Sequence, residues 1–183
     1  ADAEKILEEV KKTKADIEKL LEQLKQNQTK DDAKQDETPK TGDVVVDQSG
    51  MYNYRVTGDN TAEVISVAAK GKSAKTLKIF STVKLSGKSY KITAIADHAF
   101  KNHKYATKVT VGKNVTKIGK NAFAGCKKVK SIVIKSKKLK SVGKYAFRNI
   151  KANAVIKVPS SKRKAYTSLI KQSKIKKSVT IKK

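Results

Sequence analysis

The chain has 183 residues, 38% of them hydrophobic, and Lys plus Arg outnumber Asp plus Glu by 43 to 16, a formal charge of +27. That length allows one modest domain with an appendage. No stretch approaches the roughly 20 apolar residues of a membrane-spanning helix, and the single cysteine, Cys126, excludes a disulfide framework and a thiolate zinc site. The charge is divided. Residues 1–50 hold 9 Lys and 13 acids, whereas residues 51–183 hold 34 basic side chains against Asp59, Glu63 and Asp97. Such a surface attracts polyanions of any kind. Only Arg55, Arg148 and Arg163 are arginines, and a lysine ammonium is a flexible point charge without the planar fork that reads nucleic-acid bases. Lysine also serves simply to keep a protein soluble. No charged-then-apolar signal peptide is present, and the opening Ala1-Asp2-Ala3 would suit a mature end left by signal cleavage.

Residues 1–27 predict a separate helix. Ile6, Val10, Thr13, Ile17, Leu20 and Leu24 step by alternate fours and threes, a heptad seam, and Leu7 and Leu21 widen it. Two readings stand: a short coiled coil joining copies of the chain through Ile6, Val10, Ile17, Leu20 and Leu24, or a helix folded onto its own chain. About three heptads is marginal for an isolated coil. Residues 28–48 read as a polar linker. Within it Thr38-Pro39-Lys40-Thr41-Gly42 resembles the Pro-x-Thr-Gly core cut by sortases, but a folded region follows instead of an apolar span, so turn chemistry is the better reading.

Residues 49–91 predict a β cap. Residues 51–67 alternate apolar and polar around a Gly58-Asp59-Asn60 turn, a hairpin signal, and Leu77–Ile79 and Val83–Ile92 read as further strands about a Ser86-Gly87-Lys88 turn. Residues 92–158 repeat. Ile92, Ile95 and Ala99-Phe100 recur as Val115, Ile118 and Ala122-Phe123, then as Leu139, Val142 and Ala146-Phe147, so the phenylalanines step by 23 and 24 residues. Nine and eleven residues after each Phe come aliphatic pairs, Val109/Val111, Ile132/Ile134 and Ile156/Val158, with the period of two of a short strand. One such unit cannot bury its own apolar face, but stacked copies can, strand on strand and Phe on Phe. Residues 159–183 predict a closing cap: a helix with a serine cap and apolar positions 165, 166, 169 and 170, then a strand at Val179–Ile181.

Candidate chemistry is sparse. His103, Cys126 and Ile150 all lie three residues after the repeated Phe, so the first two read as core positions, although stacking would also bring them together as a Cys–His pair. His98 and His103 are five apart, a poor metal spacing, and Asn102 and Asn121 read as turn residues. No cofactor, metal or catalytic constellation is implied.

The stretch Ile118-Gly-x-x-Ala122-Phe123-x-Gly125-Cys126-x-x-Val129-x-x-Ile132-x-Ile134 resembles the BspA-like leucine-rich repeats, which are common on surface and secreted proteins of animal-associated bacteria. The likeness covers about residues 77–158. It departs at Asn102-His103 and Asn149-Ile150, which replace Gly-Cys, and at Phe80, which stands where proline is usual. The resemblance implies an α+β repeat solenoid, no enzymatic activity, and adhesion at a bacterial surface to matrix proteins, other cells or wall polymers; the near absence of cysteine fits many compartments, a Gram-positive surface among them. The outward strand positions Lys108, Thr110, Lys130, Ser131, Val133 and Lys157 are then the candidate partner-binding residues. A protein or an anionic glycan or wall polymer is the expected partner, without membrane insertion. Two alternatives are a nucleic-acid or polyanion binder acting non-specifically through charge and a rigid spacer with no ligand of its own.

Overall fold

A computed structural model describes residues 12–23 and 38–183. The chain divides into two units, meeting at Thr38 and Pro39. In the first, residues 12–23 form helix α1, with Ile17, Leu20 and Leu21 at 57%, 59% and 49% exposure. Ile6, Leu7, Val10 and Leu24 lie outside the described residues.

The second unit is built on two sheets. Strand β1 (Val44–Val46) pairs antiparallel with β2 (Tyr52–Gly58), which pairs with β3 (Thr61–Val67) around an Asp59-Asn60 turn. Residues 44–46 were expected to end a polar linker. Instead, three β-branched valines add an edge to the hairpin, and Asp47 accepts the Met51 and Tyr52 N–H groups to close the turn between them. The Pro-Lys-Thr-Gly segment is a turn stapled to β2: Asp43 N–H donates to the Lys40 carbonyl, and Gly42 N–H to that of Val56.

The repeat then winds in coils. Sheet B is wholly parallel, in the order β4 (Thr76–Lys78), β7 (Lys108–Val111), β9 (Ser131–Ile134), β11 (Val155–Lys157) and β12 (Thr180–Lys182). Its inward row runs Leu77, Val109, Ile132, Ile156, Ile181 in register, and the first four are fully buried. This sheet begins before residue 92 and continues past 158, so segments expected as caps contribute strands to it. Sheet A carries the other side of each coil. Strands β5 (Thr82–Leu85) and β6 (Lys88–Ile95) pair antiparallel, and β3, β6, β8 (Lys117–Ile118) and β10 (Ser141–Val142) follow in parallel. Close approach of the coils here requires glycine: a Cβ on Gly119 would overlap the backbone at Ala96 and Asp97.

The Ala-Phe segments are turns that themselves form a ladder. Phe100 N–H donates to the Ala122 carbonyl and Phe123 N–H to that of Ala146, each at 2.8 Å. The rings stack as the repeat register demands. Phe100 and Phe123 lie 5.1 Å apart at 4°, and Phe123 and Phe147 lie 5.8 Å apart at 6°. Tyr52 of the hairpin meets Phe100 edge to face at 5.8 Å, and its hydroxyl accepts the Lys78 N–H. At the far end a 3-10 turn (Ser160–Lys162) leads into α2 (Arg163–Gln172), where Tyr166 and Ile170 are buried. Ala165 is exposed, and no serine caps the helix. Lys162 N–H bonds the Pro159 carbonyl, which draws both serines into the preceding turn. Contacts with the coils replace the cap: the Tyr166 hydroxyl accepts Leu139 N–H, and the Ser173 carbonyl accepts Tyr145 N–H.

Candidate interaction site

Strand alternation determines which side chains of sheet B leave the core. Two rows point outward in register: Thr76, Lys108, Ser131, Val155, Thr180 and, beside it, Lys78, Thr110, Val133, Lys157, Lys182. All ten are exposed or half-buried, and none is acidic. Five of the six positions singled out from the sequence, Lys108, Thr110, Ser131, Val133 and Lys157, therefore share one surface. Lys130 does not belong to these rows. It lies one residue before β9, and its N–H bonds the Thr107 carbonyl at the corner where the chain enters the strand.

A second basic surface was not singled out from the sequence. It lies on the turns that follow the stacked phenylalanines. Tyr105 is 49% exposed and separates two open depressions of about 420 and 590 Å³ that share Asn102 and Lys104. Lys72 and Lys101 border the first, and Lys127 and Lys128 the second. The Lys128 ammonium is 5.6 Å from the Tyr105 ring centroid. Gly125 lines the second depression with φ of 76°, and a Cβ there would overlap Asn102 Oδ1. The signal for this surface was Tyr105 itself, which stands where the next coil has Lys128. Without knowing which turn positions face solvent, the tyrosine reads equally as core.

The buried side chains of His103 and Cys126 are engaged in the fold. Ala106 N–H donates to His103 Nδ1 at 3.1 Å, which leaves the proton on Nε2 to be donated to the Gly71 carbonyl at 3.0 Å. The Cys126 thiol donates to the Phe100 carbonyl at 3.1 Å. Burial pushes this thiol up to about 11, an effect only partly offset by the His103 backbone N–H. With both imidazole nitrogens bonded to backbone, His103 is not placed to take a proton from Cys126. The two are core neighbours, as the repeat register requires. His98 and Asn121 bond one another at 3.2 Å across adjacent coils, and Asn102 and Asn121 adopt φ of 60° and 54°, turn conformations that asparagine tolerates. Among the described residues no three His, Cys, Asp or Glu side chains cluster as a metal site, and no helix is long and apolar enough to cross a membrane.

A stacked, parallel-stranded coil of 23 to 24 residues with a phenylalanine spine defines a leucine-rich-repeat solenoid. Residues 76–183 match the BspA type leucine-rich-repeat region in six copies, and the chain belongs to that family. Among solved structures, a leucine-rich cell surface protein of Faecalibacterium prausnitzii shares 24% identity at a TM-score of 0.51, over 68% of this chain and 38% of that one. A leucine-rich-repeat protein of Bacteroides capillosus shares 25% identity at a TM-score of 0.41, over 63% of this chain and 71% of that one. A third, from Bacteroides ovatus, shares 22% at 0.43, over 60% and 34%. The chain thus spans little more than a third of the length of the first of these relatives. No curated relative matches it.

Proposed function

We propose that this chain is a non-enzymatic interaction module displayed at a bacterial cell surface, and that it adheres through the outer face of sheet B to a protein or anionic polymer. One observation carries the reading: two outward rows in register, with lysines and small side chains and no carboxylate among ten positions. Parallel strands about 4.8 Å apart make such a face flat and extended, which suits a partner engaged over several coils rather than a small molecule held in a pocket. Family membership supports the class of function, and the Faecalibacterium neighbour, described as a cell surface protein, supports the location. The hairpin β2–β3 and helix α2 serve as caps that cover the ends of the Phe spine. The seam Ile6, Val10, Ile17, Leu20 and Leu24 joins copies of the chain, a role consistent with the exposure of Ile17 and Leu20.

The test is binding to immobilised matrix proteins and wall polymers at low and high salt, with wild type and a Lys78→Gln, Lys108→Gln, Lys157→Gln triple variant. Affinity should fall with salt, because exposed charges more than about 10 Å apart are screened at 0.1 M, and the triple variant should bind more weakly. Salt-independent binding, or a triple variant that binds like wild type, overturns the assignment to this face.

A further inference from the structure

We infer that the Tyr105 cleft is a binding site for a sulfated polysaccharide. This rests on the reading above that a basic surface meets an anionic partner, and it adds a second site and a ligand class. Two kinds of group converge there. Tyr105 offers a half-exposed ring, and lysines border the depressions on both sides of it with no acidic residue lining either. Lys104 and Lys127 occupy the same repeat position in successive coils, and the coil step, read from the Phe100 and Phe123 rings, is 5.1 Å. The lysines therefore form a column with the spacing of the solenoid, which Lys151 continues.

An aromatic ring has an apolar face and a polar edge. A pyranose ring is its complement, with a C–H face to lay on the tyrosine and charged substituents at its rim to reach lysines on either side. A polyol-phosphate chain has the charge but no ring. A nucleic acid has rings, but single-strand binding uses several stacking platforms in succession. Tyr105 is the one aromatic residue exposed in the cleft, since Phe80, the other strongly exposed ring, borders neither depression. Lysine suits sulfate, which asks for charge, and does not supply the bidentate fork that base reading asks for. Gly125 keeps the second depression open: its left-handed turn next to Asn102 leaves no room for a side chain.

The experiment is calorimetric titration of the full chain with a size-defined heparin oligosaccharide near physiological ionic strength, with desulfated heparin, duplex DNA and polyglutamate as competitors. Lys104→Gln, Lys127→Gln, Lys128→Gln together should weaken binding about tenfold. Tyr105→Ala should weaken it about fivefold and leave its salt dependence unchanged, because the ring contributes contact and not charge. Desulfated heparin should not compete. These side chains are exposed, so circular-dichroism melts should match wild type. If Tyr105→Ala binds like wild type and the Lys78, Lys108, Lys157 variant loses as much as the cleft triple, the cleft is overturned and the sheet face stands. If DNA or polyglutamate competes as well as heparin, the sugar specificity is overturned. If heparin does not bind while matrix proteins still do, the site fails alone. If no anionic partner binds at all, both readings fail.

Discussion

Phe123 is the ring on which the repeat architecture can be tested most sharply. It is fully buried and stacks on Phe100 at 5.1 Å and on Phe147 at 5.8 Å. Truncating a buried phenylalanine to alanine costs about 3–5 kcal/mol, through lost transfer energy and the cavity left behind. Aromatic pairs contribute about 0.5–1.5 kcal/mol each beyond burial. Phe123 loses two such pairs, and Phe147 loses only one. Phe123→Ala should therefore cost about 4 kcal/mol and Phe147→Ala about 3. Phe80, at 43% exposure, should stay within about 0.5 kcal/mol on the same change. For a unit of this size, Phe123→Ala lowers Tm by roughly 10–15 °C. Urea denaturation followed by circular dichroism measures this, with the m-value as the control for an all-or-none transition. A split transition would mean that the coils melt separately. A cost below about 1 kcal/mol, or a Phe147→Ala cost exceeding that of Phe123→Ala, would refute the shared spine.

Three further outcomes follow from individual residues. The Tyr54 hydroxyl is buried with no hydrogen-bond partner, so Tyr54→Phe removes an unsatisfied group and should stabilise the unit by about 1 kcal/mol in thermal melts; a loss of stability would show that the hydroxyl has a partner. Burial raises the Cys126 thiol from 9.0 to about 11, so the folded state holds this proton more tightly than the unfolded one; its contribution is complete below pH 9 and is lost as pH rises through 11. The stability difference between wild type and Cys126→Ala should shrink over that window, and a thiol reagent should label Cys126 slowly at neutral pH until denaturant is added. Gly125→Ala should destabilise by about 1–3 kcal/mol, because φ of 76° disfavours a side chain and the methyl would overlap Asn102 Oδ1; adding Asn102→Gly should recover part of that loss, and strictly additive costs would refute the clash.

The repeat was legible because its signal is redundant: three Phe residues and three aliphatic pairs share one register, and a slip of one residue would turn every inward side chain outward. The Phe stack and strands β7, β9 and β11 followed from that register, and the 51–67 hairpin and the closing strand, expected at Val179–Ile181 and found at Thr180–Lys182, from turn chemistry and local pattern. Other elements carried too little pattern. Strand β8 buries Ile118 and β10 half-buries Val142, and two residues cannot display an alternation, so the parallel part of sheet A went unseen. Strand β1 was hidden by polar neighbours, and its pairing partner lies across a turn made by Asp47. The serine cap failed because tertiary bonds from Tyr166 and Ser173 anchor α2 without it. Of the candidate site, alternation identified the outward rows of sheet B, whereas Lys130 is exposed one residue before strand β9 and stands outside those rows. The Tyr105 cleft depends on which turn positions face solvent, and that is a property of the coil in three dimensions.

The charge of this protein and its fold are separable, and that separation is what makes the charge informative. Inward positions repeat because each coil must match the one beneath it, and the polar residues buried among them, such as His103 and Cys126, are held by backbone partners. Among the described residues no lysine or arginine is buried, so the charges of the 34 basic side chains of residues 51–183 lie at the surface. Exposed like charges in a column cost the fold little, since water and salt screen them. A stacking solenoid needs polar residues at these places, but acidic or neutral ones would serve it equally. Packing therefore does not account for the scarcity of carboxylates over residues 51–183, three in all, and that scarcity is the ground for the anionic partner proposed above. Neutralising lysines on sheet B or beside Tyr105 should accordingly separate the two properties, leaving the coils intact while partner binding is lost.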